Sequence, residues 1–130
     1  MASIVKEFTL AAGADAVWDA LADFGALHTR LVPGFVTDTQ LEGDTRVVTF
    51  ANGSVARERL VTSDAEHRRL AYMIKSERLE HHNAFAQVFA EGDGRCRFLW
   101  VTDVLPGEIA PYISGQMDAG VEAMKKQFGG

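Results

Sequence analysis

The segment from Gly107 to Phe128 carries the longest helical apolar stripe in the chain, and it restricts the possible folds more than any other stretch. Ile109, Ile113, Met117, Val121, Met124 and Phe128 recur at steps of three or four, which puts them on one side of an α-helix and demands a partner surface for that side. Ser114, Asp118, Glu122, Lys125 and Lys126 fall mainly on the other side. Pro111 lacks a backbone donor and fits only in the first turn. Glu108 near the start, with Lys125 and Lys126 near the end, matches the helix dipole. A helix from Glu108 to Phe128 would be about 30 Å long, the diameter of a small domain. Something must wrap it. Nearly everything between Val36 and Val104 reads as strands and tight turns, so the expected architecture is one curved antiparallel sheet closing around one long helix.

The rest of the chain fits that frame. Ser3 to Leu10 is a strand-like run; Gly13 can cap a short helix carrying Val17, Trp18, Leu21 and Phe24, and Gly25 can end it. A second short helical piece is expected over Ala26 to Leu31, before Pro33-Gly34 breaks the chain. From Phe35 the period changes to that of strands: Phe35 to Glu42, Thr45 to Phe50, Ser54 to Thr62, Arg69 to Lys75, Asn83 to Ala90 and Arg95 to Val104. The separators Gly43-Asp44, Asn52-Gly53, Asp64 to His67, Ser76 to His82 and Gly92 to Gly94 are mostly turn chemistry. The fold class is therefore α+β: a seven-stranded sheet gripping a C-terminal helix, with two short helices after the first strand.

Composition bounds the partners. At 130 residues and 47% hydrophobic content the chain suits one core, and residues 1–130 are expected to form a single domain. A net charge of −5 with scattered basic residues argues against nucleic acid or an anionic membrane as the main partner. One cysteine, Cys96, excludes an internal disulfide, and the sequence shows neither a signal peptide nor an apolar span of membrane length. A cytoplasmic protein without membrane insertion is expected, and a homodimer is compatible with these features.

The run Asp15-Ala16-Val17-Trp18-Asp19-Ala20-Leu21, then Asp23-Phe24-Gly25, Pro33-Gly34, Arg46, Asn52-Gly53 to Arg57-Glu58-Arg59-Leu60, and Trp100 in the last strand resembles the bacterial polyketide cyclase/dehydrase group of the SRPBCC (START-like, Bet v 1-like) superfamily. The resemblance covers essentially the whole chain. It implies a deep cavity between the concave sheet face and the long helix, with Ala26 to Pro33 at its mouth. It implies less about activity, because that superfamily hosts carriers of hydrophobic ligands and lipids, receptors, cyclases and lyases.

Arg46 and Glu58 lie on neighbouring strands. A three-residue loop would oppose them directly, whereas a two-residue Asn52-Gly53 turn would set Arg46 against Arg59. Buried in the cavity, Glu58 would have a raised pKa and act as a general base beside Arg46; exposed, the two would be an ordinary cross-strand ion pair. In a plant member of the superfamily an arginine and a glutamate on these strands are credited with proton transfer, and Arg46 and Glu58 are similarly placed though closer in sequence. Of His81 and His82 only one can face inward. His82 is the choice, because Ala84 and Ala86 then share its face and leave room for a ligand; the opposite register would bury Asn83, Phe85, Gln87 and Phe89. An inward His82 would be an acid/base partner at neutral pH, and otherwise it is a solvated edge histidine. His28 is placed in the roof, beside the ligand. His28, His82 and Glu58 would make a two-histidine, one-carboxylate metal set, but no ligand spacing supports it and no metal is expected.

Tyr72, Trp100 and Met117 supply soft, mostly apolar ligand surface, with the Tyr72 hydroxyl as a polar contact; the alternative is plain core for Trp100 and Met117 and a tyrosine hydrogen-bonded at the rim for Tyr72. Cys96, between Arg95 and Arg97, is expected to be an inert thiol on a strand surface. No dinucleotide fingerprint or phosphate loop is present, so no cofactor is expected. Two functions remain: a cyclase, lyase or isomerase that moves a proton on a small hydrophobic, aromatic or polyketide-like substrate, and a non-catalytic carrier or sensor of such a ligand.

Overall fold

The computed structural model describes residues 2–130. Strand β1 (Ala2–Leu10) leads into helix α1 (Ala14–Ala22), followed by a 3₁₀ turn (Phe24–Ala26) and a single π-helical turn (Leu27–Leu31). Strands β2 (Val36–Glu42), β3 (Thr45–Phe50), β4 (Val55–Asp64), β5 (Arg69–Ile74), β6 (His81–Ala90) and β7 (Cys96–Leu105) come next. A 3₁₀ turn (Gly107–Ile109) then opens helix α2 (Ala110–Phe128). All strand pairs are antiparallel, in the order β1-β7-β6-β5-β4-β3-β2. Sequence neighbours pair throughout except at one place, where β1 and β7 join the two ends of the chain. Register shifts in β2 between Val36 and Asp38, and in β4 between Leu60 and Thr62, are irregularities of the kind that bend and twist a sheet.

Alternation decides which face is core. On β6 the buried set is His82, Ala84, Ala86 and Val88, and on β7 it is Cys96, Phe98, Thr102 and Val104. Helix α2 meets this face differently from the expected stripe. Met117 and Met124 are buried, but Ile113 and Val121 are only half-buried, and Gly120 and Ala123 are buried beside the methionines. The reason is close approach. A Cβ on Gly120 would lie 2.9 Å from Cζ3 of Trp100, so the missing side chain lets the helix settle against the indole.

Two further expectations change. Helix α1 does start after Gly13, whose carbonyl accepts from Val17 N–H at 3.2 Å, but it ends at Ala22 with Asp23 as C-cap. Gly25 serves packing instead: a Cβ there would come within 2.8 Å of Leu41. The piece expected as a second helix is one wide turn, closed by Val32 N–H donating to Leu27 O at 3.0 Å. It is too short to carry a helical face but long enough to bury Leu27 and Leu31.

Candidate functional site: a cavity with a buried ion pair

Between the concave sheet face and α2 lies a cavity of about 640 Å³. That is within the range that takes a small organic ligand. Its wall is mostly apolar and aromatic, with Phe35, Phe50, Phe98, Trp100, Met117 and Met124 contributing. The lining residues Leu27, Leu31 and Val32 are buried, so this segment is closed wall and not the expected mouth. The exposed lining residues are Val55, Lys75, Ser76, Arg78 and Tyr112, with Arg57 beside them. The mouth therefore lies between the β3–β4 hairpin, the β5–β6 link and the first turns of α2.

The hairpin fixes the chemistry. Phe50 N–H donates to Ser54 O at 2.9 Å, and Gly53 N–H to Phe50 O at 2.9 Å, so the loop is the three residues Ala51 to Gly53. Asn52 Oδ1 accepts from Ser54 N–H at 2.9 Å, and Gly53 takes φ +87°, which a side chain would resist. This register sets Arg46 directly opposite Glu58. Both are buried, at 3% and 6% exposure. Arg46 Nε donates to Glu58 Oε1 at 2.8 Å, and Nη2 lies 2.7 Å from the same oxygen. Nη1 reaches Phe24 O at 3.4 Å, and the guanidinium carbon stands 4.0 Å from the Phe24 ring centroid and 5.4 Å from that of Tyr72. Arg46 is thus held on several sides by a carboxylate, a carbonyl and two aromatic rings. Glu58 is not. Its Oε2 has no hydrogen-bond or ion-pair partner among the described residues, and the residue lines the cavity.

Tyr72 and Trp100 also line the cavity and are joined, Trp100 Nε1–H donating to the Tyr72 hydroxyl at 3.1 Å. Burial, with the Glu58 charge nearby, pushes the Tyr72 phenol well above its usual range, so it stays a neutral hydrogen-bonding group. His82 faces inward and lines the cavity, but its ring has a structural task. Nδ1 accepts from Ile74 N–H at 3.1 Å, completing the β5–β6 ladder where regular pairing has stopped at Tyr72 and Ala84. Burial lowers its pKa from 6.5 to about 4. At neutral pH His82 is therefore uncharged, with its proton on Nε2, and it cannot be the ready acid/base partner that its type suggested.

Other expected site residues stand elsewhere. Ala84 and Ala86 are buried but do not line the cavity; they belong to the core cluster that also holds Ala14, Val17, Ala20 and Leu21 of α1, a helix in contact with β6. His28 is also off the cavity, its Nδ1 3.0 Å from the Thr39 hydroxyl. His28, His82 and Glu58 are not gathered into one ligand set among the described residues. Cys96 is fully buried where a strand-surface position was expected, and burial pushes its thiol up, so the flanking arginines do not activate it. Thr102, 2% exposed on β7, lines the cavity without having been singled out; its in-phase position with Phe98 and Trp100 was the available signal.

A curved antiparallel sheet gripping a long helix over a lined cavity is the helix-grip architecture of the Bet v 1-like class. The chain belongs to the family described as polyketide cyclase / dehydrase and lipid transport, whose model matches residues 1–129. A search of curated proteins finds no match in sequence. Among solved structures, an uncharacterised protein from Bacillus thuringiensis superposes with a TM-score of 0.86 at 18% identity, over 98% of each chain. Norcoclaurine synthase from Thalictrum flavum, solved with a transition-state analogue, gives 0.75 at 24% identity over 96% of this chain and 92% of the synthase. The di-domain ARO/CYC protein BexL, from a biosynthetic pathway, gives 0.82 at 15% identity, over 98% of this chain and 46% of BexL. At these identities the likeness is one of fold. No helix among the described residues is long and apolar enough to cross a membrane.

Proposed function

We propose that the protein binds a small, largely apolar aromatic or polyketide-like molecule in this cavity and catalyses a cofactor-independent proton transfer on it. The observation that carries the reading is Glu58: among the described residues lining the cavity it is the only carboxylate, with one oxygen tied to Arg46 and the other without a partner. Oε2 takes a proton from an activated carbon of the substrate, and the C–H electron pair stays behind as an enolate. Glu58 is then neutral and the Arg46 charge is no longer cancelled, so the cation appears where the negative charge develops. The same carboxyl group then gives the proton back: to a different carbon in an isomerisation, to the oxygen of a carbonyl that the enolate carbon has attacked in a cyclisation, or to the oxygen of the leaving group that the enolate expels in an elimination. Tyr72, Trp100 and Met117 shape and orient the bound molecule. The single, buried, unpaired cysteine suits a reducing cytoplasm.

The competing reading is a carrier with the same cavity, and one experiment separates them. Ligand that co-purifies is identified by mass spectrometry and returned to the protein in heavy water. Wild-type protein is expected to exchange a carbon-bound proton of the ligand for deuterium, and Glu58→Gln to do so about 100-fold more slowly or worse. Ala56→Phe, which fills space at the lining, is expected to weaken binding at least tenfold while the fold persists. Full exchange by Glu58→Gln would sink the catalytic reading; binding without exchange in the wild type would establish the carrier.

A further inference from the structure

The charge of the cavity lining opposes that of the whole protein. The chain carries −5, yet its cavity is lined by Arg46, Arg57, Lys75 and Arg78 against the single carboxylate of Glu58. Two of the four cations are already neutralised: Arg46 by Glu58, and Arg57 by Glu42 through a 3.0 Å contact. Lys75 and Arg78 are exposed at the mouth and have no ion-pair partner among the described residues. Glu77 and Glu80, on the same β5–β6 link, do not line the cavity. The link as a whole is formally neutral, but the charged side chains it turns to the opening are the two cations, so an anion can pair directly with them there and with no uncancelled cation deeper in the lining.

Resting on the proposed function, we infer that the ligand is an amphiphile with a carboxylate head: its anionic end pairs with Lys75 and Arg78 at the mouth, and its apolar, reacting end reaches inward to Glu58. The order is dictated by what is free. Arg46 lies deeper, but three of its five N–H donors go to Glu58 and the Phe24 carbonyl and its charge is cancelled by Glu58, so an anion entering that far would meet a carboxylate with no net positive charge to offset it. A head group at the mouth keeps its negative charge partly hydrated and leaves the apolar wall to the body of the molecule. The polar groups at the rim, Ser76 and Gln116 among them, are hydrogen-bonding side chains that suit a carboxylate as well as water.

The test compares two molecules that differ only in the head. Naphthylacetate and the corresponding alcohol, naphthylethanol, are titrated against the full chain loaded with aminoanthracene, a neutral fluorescent probe. Naphthylacetate is expected to displace the probe at about tenfold lower concentration, the sum of two rim-exposed ion pairs. The preference is expected to shrink as salt is raised and to fall below about threefold in the Lys75→Gln/Arg78→Gln double variant, with the affinity for the alcohol unchanged. Both residues are exposed, so the variant keeps the fold. Equal displacement by acid and alcohol in the wild type would overturn the head-group assignment while leaving the cavity reading in place. A preference that survives intact in the double variant overturns the role of Lys75 and Arg78. Failure of both molecules to displace the probe overturns the cavity reading as well.

Discussion

Replacing Glu58 with leucine alone is expected to destabilise the protein by about 3–5 kcal/mol in urea denaturation, and Arg46→Met alone by a similar amount. Each single change strands a charge that is largely withdrawn from water: the side chains are 4% and 8% exposed. The double variant Arg46→Met/Glu58→Leu is expected to be about as stable as the wild type, because removing both charges removes both desolvation penalties along with the attraction. A loss under about 1 kcal/mol in the single variants would mean that the pair is effectively solvated through the cavity. The predicted cycle bears on function. A pair whose joint removal costs nothing is not held for stability, and its position at the cavity wall then needs the chemical explanation given above.

The second large effect is expected below neutral pH. The His82 pKa falls from 6.5 in the unfolded chain to about 4 in the folded one, so between those values the unfolded state binds more protons. Stability therefore rises with pH across this window, and the contribution is complete above pH 6.5. As pH falls towards 4 it is lost, by roughly 3 kcal/mol at about 1.4 kcal/mol per unit. Below about pH 4 both states are protonated and this contribution levels off. His82→Asn keeps a short-range acceptor for Ile74 N–H but cannot titrate, so its urea midpoint should lose most of the slope over that range. If the variant shows the same slope as the wild type, the acid sensitivity belongs to other groups.

How much of this was legible before the structure depended on what kind of information each feature needs. Alternation and turn chemistry are local, and the sheet, the α2 helix and the inward face of β6 follow from them. The Arg46–Glu58 opposition was legible only as two alternatives, because Asn52-Gly53 serves equally well in a two-residue or a three-residue loop; the hydrogen bond between Phe50 and Ser54 decides it. The misplaced residues share another cause. Small side chains at Ala84 and Ala86 signal that something lies above them, but the sequence does not say whether it is a ligand or α1. Gly120 is the converse: an apparent gap in the α2 stripe is the point of closest approach to Trp100. His82 shows the limit for chemistry, since its type suggests titration near neutrality and its burial and backbone partner remove it. Lys75 and Arg78 are two of the scattered basic residues of the chain and gain meaning only from where the cavity opens.

The pairing of β1 with β7 governs how the molecule is assembled in time. Strands β2 to β6 are a meander whose contacts are between sequence neighbours, whereas Leu10 must find Cys96 across almost the whole intervening chain. Closing a loop of that length costs more entropy than forming any of the hairpins, and topologies dominated by such pairings fold in milliseconds to seconds. The Arg46–Glu58 pair, twelve positions apart on one hairpin, belongs to the part that forms cheaply. Pulse-labelling hydrogen exchange should show β3 and β4 amides protected before those of β1. The Arg46–Glu58 pair would then be in register while the helical wall of the hollow is still missing, and the docking of α2, which packs beside β1, is the step that turns a charged hairpin into an enclosed site.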